Sequence, residues 1–165
     1  MRLSPSFVDR LLPSLVGVGL ALATLARPAL AESRPVPSAA VQRADGTTVD
    51  LASLAVAGPW LLVSVTADAP VTGRLLQALE SWQLGASGSR IVLVVDGTPV
   101  QVGRVETQWA ARLPGVQFVA DDRGLARRAL QVRALPTIVG GRDGMVAWQV
   151  AGVLNDPGML RSVVQ

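Results

Sequence analysis

The chain contains no cysteine, histidine, lysine or tyrosine. Each absence removes a kind of chemistry. Without a thiol there is no thiolate nucleophile and no disulfide. Without histidine or cysteine, Ser-His-Asp and Cys-His catalysis are excluded. Zinc and haem lose their usual nitrogen and sulfur ligands. Without lysine there is no Schiff base, which excludes pyridoxal-type catalysis. Carboxylates, hydroxyls and guanidinium groups remain. No glycine-rich phosphate loop follows an apolar run, and there is no internal repeat. The reading therefore expects no cofactor and no metal.

What is present fits one domain. The chain has 165 residues, half of them hydrophobic, which is enough to bury a core. Its 15 arginines outnumber its 12 acids, for a net charge of +3. Two of those charges lie in the first 31 residues, on Arg2, Arg10 and Arg27 against Asp9. The high isoelectric point reflects arginine without lysine, histidine or tyrosine, not a basic patch. Arg127-Arg128 is the only adjacent pair, and a solvated helix face accounts for it. Nucleic-acid binding is not expected.

Residues 1–31 read as a secretory signal peptide. Arg2 and Arg10 precede an apolar run over 11–25, interrupted by Pro13, and Ala29-Leu30-Ala31 supplies small residues for cleavage. The run is short for a membrane span, which needs about 20 residues. An exported, periplasmic protein is expected, with membrane attachment only if the segment is uncleaved. N-terminal sequencing of the exported form should begin at Glu32; a Met1 start in the membrane fraction would replace the signal with an anchor. Residues 32–40 hold Pro35 and Pro37 among small polar residues and read as an extended linker. The domain is expected over 41–165.

Within it, 41–51 reads as a hairpin turning at Asp45-Gly46. Residues 60–65 form a continuous apolar run, the pattern of a buried strand. Pro70 can open a helix, and Leu75, Leu76, Leu79 and Trp82 follow at helical spacing. Gly85 to Gly88 ends it. Residues 91–95 and 116–120 are further strands. Val102, Val105, Trp109 and Leu113 mark a second helix, broken by Pro114-Gly115, and 124–130 a short third one. Residues 137–139 and 145–151 form a closing hairpin around Gly140-Gly141-Arg142-Asp143-Gly144. Asp156 and Pro157 open a last helix with Met159, Leu160, Val163 and Val164 on its apolar face. Alternating strands and helices argue for parallel strands, and the hairpin adds antiparallel ones. The expected class is α/β, a mixed sheet with helices on both faces. An all-parallel flavodoxin-type sheet is the alternative, opposed by the short loop before Met145.

Ala134-Leu135-Pro136-Thr137, with Gly144 and Gly152 beyond, resembles the cis-proline segment and closing hairpin of thioredoxin-like proteins. The stretch Ala69-Pro70-Val71-Thr72, after the first apolar strand, sits where that superfamily carries Cys-x-x-Cys. With Gly73-Arg74-Leu75-Leu76 and the ending Gly152-Val153-Leu154-Asn155, it is similar to the thioredoxin-type accessory protein of methylamine dehydrogenase maturation. That family has Cys-Pro-Val-Cys, then a basic residue and Leu-Leu. The resemblance puts Ala69 and Thr72 at the two lost cysteines; a second register puts Pro70 and Gly73 there. It also implies a cis bond at Leu135-Pro136, facing the degenerate motif, where backbone groups can pair with an extended peptide.

Three functions follow. One is a non-catalytic accessory protein that holds a client or partner subunit through Leu135 and Pro136, during assembly of a periplasmic dehydrogenase. Another is an enzyme or cofactor-binding protein using non-thiol groups. The third is a decaying paralogue of a disulfide oxidoreductase. Thr72 reads as a first-turn residue bonded to backbone, and Asp68 as a helix N-cap. Asp121-Asp122 supplies too few oxygens for a cation. Trp60, Trp82 and Trp109 read as core, and Trp148 as exposed.

Overall fold

A computed structural model describes residues 30–82 and 90–152. The expected signal core, the helix end at Gly85 to Gly88 and the last helix from Asp156 lie outside the described residues. One sheet of eight strands organises the rest, in the order β1-β8-β7-β4-β5-β6-β2-β3. The strands are β1 (Leu30–Pro35), β2 (Ala40–Gln42), β3 (Thr48–Asp50), β4 (Pro59–Thr66), β5 (Arg90–Asp96), β6 (Val116–Ala120), β7 (Thr137–Arg142) and β8 (Met145–Ala151). Helices α1 (Pro70–Ser81), α2 (Pro99–Trp109) and α3 (Leu125–Ala129) connect them.

The central strands are the apolar runs. Leu61 to Val65 on β4 and Ile91 to Val95 on β5 are buried throughout, as strands covered on both faces must be. Side chains alternate between the faces. Leu61, Val63 and Val65 join Leu75, Leu76 and Leu79 of α1 and Val102, Val105 and Trp109 of α2. Trp60 and Leu62 join Ala126 and Leu130 around α3, and a 3-10 turn at Leu51–Ala55. The connections β4-α1-β5 and β5-α2-β6 step the same way along the sheet. Right-handed crossovers then put α1 and α2 on one face. β7 pairs antiparallel with β4, and β8 with β7. The sheet is therefore mixed, not all-parallel.

Four readings need correction. The 32–40 segment is extended, but it is not a free linker. β1 pairs with β8, Val36 and Ala39 are buried, and Val36 N–H donates to Gly144 O at 2.8 Å. The open edge of β8 supplies backbone partners that no side-chain pattern announces. Cleavage after Ala31 would leave the Arg34–Val146 and Pro35–Met145 pairs in place. Trp148 is buried, because it lies opposite Gly140 and occupies the space above it. α2 ends at Trp109, not at Pro114; Leu113 N–H still donates to Trp109 O at 2.9 Å, which keeps Leu113 in the core. The fourth correction, at Asp68, belongs to the site.

Across α1 and α2, Arg112 donates to Glu80 from Nε at 2.9 Å and also from Nη2, and stacks over Trp109 with its carbon 4.3 Å from the ring centre. This hydrogen-bonded pairing holds the Glu80 carboxyl below its usual range and raises Arg112. The contact is exposed and bridges α1 to the turn that follows α2.

Candidate functional site

The site is built at the carboxyl end of β4. The chain leaves that strand at Thr66 and enters α1 at Pro70, whose missing N–H suits the first helical position. Ala69 is the residue before it, extended at φ −79° and ψ 133°. It supplies no side-chain cap. Thr72 is buried, and its hydroxyl donates to Thr66 O at 2.7 Å. The first-turn reading of Thr72 therefore holds. That hydroxyl is tied to the strand it follows, with no histidine or lysine in the chain to activate it.

Asp68 is not the N-cap. It stands one residue too early, and its carboxylate instead accepts from Gln101 Nε2 at 3.1 Å. Gln101 belongs to the capping box of α2, in which Gln101 N–H donates to Thr98 Oγ1 and Thr98 N–H to Gln101 Oε1. The signal Thr98-Pro99-Val100-Gln101 was available in the sequence.

The second half of the site arrives through β7. Its antiparallel register on β4 runs to the pair Ser64–Thr137. Pro136 directly precedes Thr137, so the loop enters the sheet two residues from the end of β4. Leu135-Pro136 is cis. Pro136 is buried and its C=O accepts from Gly152 N–H at 2.8 Å. Thr137 Oγ1 donates to Ala134 O at 2.6 Å. Leu135 is half-buried against the α3-side core. Among the described residues, neither the N–H nor the C=O of Leu135 is hydrogen-bonded.

Asp121 is engaged by backbone. Its two oxygens accept from Ala126 N–H at 3.0 Å and Arg127 N–H at 2.8 Å, which anchors the start of α3. Arg127 also donates to Asp96 at 3.1 Å. Among the described residues the arrangement offers backbone groups and a small apolar surface, and no thiol.

No protein-family model matches the sequence, and no curated protein matches it. Solved structures do resemble the fold. Reduced Prx3 from Vibrio vulnificus superposes with a TM-score of 0.67 at 17% identity, over 82% of this chain and 99% of that one. Peroxiredoxin 5 from Alvinella pompejana gives 0.65 at 13% identity, over 81% and 96%. A secreted Mycobacterium tuberculosis disulfide oxidoreductase homologous to E. coli DsbE gives 0.59 at 17%, over 76% and 92%. The chain has the thioredoxin-like fold. It holds no cysteine, so it has no thiol chemistry of its own.

Proposed function

We propose that this protein is an exported, redox-inactive thioredoxin-fold accessory protein that binds an extended segment of a client. One observation carries the reading. The N–H and C=O of Leu135 are unbonded among the described residues, two residues before the Ser64–Thr137 pair on the strand that leads to α1, where Ala69 has no reactive group and the Thr72 hydroxyl is bonded to Thr66 O. Pairing to a backbone edge needs N–H and C=O groups, not thiols. Such a contact with a small apolar patch gives transient binding. The client class we propose is a subunit of a periplasmic amine dehydrogenase. Its support is the resemblance of 69–76 and 152–155 to the maturation family. An amine dehydrogenase gene beside this one would strengthen that assignment.

The test is affinity capture from periplasmic extract. Leu135→Arg should abolish client recovery, and so should Val71→Asp, in the first turn of α1. Leu135 packs partly into the core, so thermal melting must accompany each variant. Met145→Ser is the control, since Met145 is exposed at the opposite end of β7 and β8. Equal recovery by wild type and both groove variants would remove the groove from the reading. A second reading, a decaying paralogue of a disulfide oxidoreductase, draws on the likeness to the DsbE homologue. It expects no client in any capture.

A further inference from the structure

We infer that the client segment carries an acidic residue, held by Arg127 and Arg128 where their guanidinium groups close over Gly124. This rests on the binding reading above and extends the same surface along α3. Gly124 precedes α3 with φ +62° and has no side chain. The point where a Cβ would stand is 3.3 Å from Arg128 Nη1 and 3.9 Å from both Arg127 Nε and Nη2. Two cations therefore reach back over one spot. Arg127 is balanced by Asp96. Arg128 has no ion-pair or hydrogen-bond partner for its guanidinium among the described residues.

The nearby acids do not serve it. Both oxygens of buried Asp121 are taken by backbone N–H groups. Asp122 is exposed, and Arg123 and Arg133 add positive charge before and after α3. A guanidinium fork matches a carboxylate in shape and charge. Leu125, 37% exposed, sets an apolar contact beside the pair. α3 and Leu135 pack on the same core cluster, so the two surfaces share a face of the sheet. β4, β5 and β6 are adjacent and parallel and end together at Thr66, Asp96 and Ala120, with neighbouring strands about 4.8 Å apart, so the start of α3 and the end of β4 lie along one edge of the sheet. The occupant is thus an extended polypeptide with an apolar residue and an acid at fixed spacing.

The experiment pans a displayed library of random octapeptides on the full-length protein. Wild type should enrich Asp or Glu at a constant distance from an apolar residue, and salt should weaken that selection. Arg128→Gln should lose the acidic enrichment but keep the apolar one. Arg128→Glu should select Lys or Arg at the same position. Melting curves confirm that each variant is folded. Acidic enrichment that persists on Arg128→Gln overturns the inference. So does a wild-type selection that is apolar without acids, and if Leu135→Arg abolishes that selection the binding reading survives alone. No enrichment on wild type overturns both.

Discussion

Gly141→Ala is expected to lower the melting temperature by about 10 °C or more, or to prevent folding. A Cβ at Gly141 would stand 1.9 Å from Met145 O and 2.5 Å from Trp60 Cζ2. The first contact is backbone, within the β7–β8 hairpin itself, so no rotamer change relieves it. The second is with an indole that is 1% exposed and has nowhere to move. Overpacking of a filled core commonly costs about 1–3 kcal/mol, and a fixed backbone contact adds to that. Gly140→Ala meets a different obstacle, the Trp148 ring at 2.2 Å. That obstacle is a side chain, so Gly140→Ala should cost little on a Trp148→Ala background, although Trp148→Ala is itself destabilising, whereas Gly141→Ala should cost as much there as in the wild type. Thermal unfolding of the three single and two double variants checks this. An unchanged melting temperature for Gly141→Ala would mean that the hairpin and Trp60 do not pack this way.

Those two glycines mark a boundary in what the sequence makes legible. Runs such as 60–65 and 91–95 declare themselves, because a strand covered on both faces needs apolar residues at every position. Pro70 declares the start of α1, because proline is tolerated there and nowhere deeper. The hairpin of β7 and β8 follows from its short glycine-rich turn. Trp148 was legible in part, through its alternation with Val146 and Val150 on β8. Its burial depends on Gly140 across the ladder, a pairing that exists only once the register is set. β1 was illegible for a related reason. Its partner is the backbone edge of β8, and a segment rich in proline and polar residues carries no periodicity to reveal that.

The site divides in the same way. Thr72 follows from the helix start alone. Asp68 misled, because an acid before a helix suggests a cap, and one residue of displacement sends it to Gln101 instead. Residues 69–72 and Leu135-Pro136 are more than sixty positions apart in sequence. No local pattern brings them together. The resemblance implies their meeting; the β4–β7 ladder pairs Thr137, the residue after Pro136, with Ser64 on the strand that leads to α1.

The full-length protein is expected to show no disulfide reductase activity with insulin at any pH, and Ala69→Cys with Thr72→Cys together should create it. The first half follows from composition, since pH cannot restore a thiolate that the chain lacks. The second half tests the register of the degenerate motif. Ala69 is partly exposed at the helix N-terminus, where the free N–H groups and helix dipole lower a thiol pKa. A cysteine there would be the attacking thiol. Thr72 is buried one helical turn later, the place for a resolving thiol that is shielded from solvent. Residues three apart on a helix have α-carbons within disulfide range, so the pair can close. Replacing Thr72 also removes the hydroxyl bond to Thr66 O, which should lower stability by about 1 kcal/mol without unfolding the domain. The competing register uses Pro70→Cys with Gly73→Cys. Pro70 is exposed and Gly73 has open space around its Cβ position, so that pair folds but leaves both sulfurs on the outer side of the first turn. Turnover of insulin by each double variant, with contaminating thioredoxins removed, separates the two. Activity from the second pair and none from the first would favour the register that aligns Pro70 and Gly73 with Cys-x-x-Cys. Activity in the unmodified protein would contradict the redox-inactive reading itself.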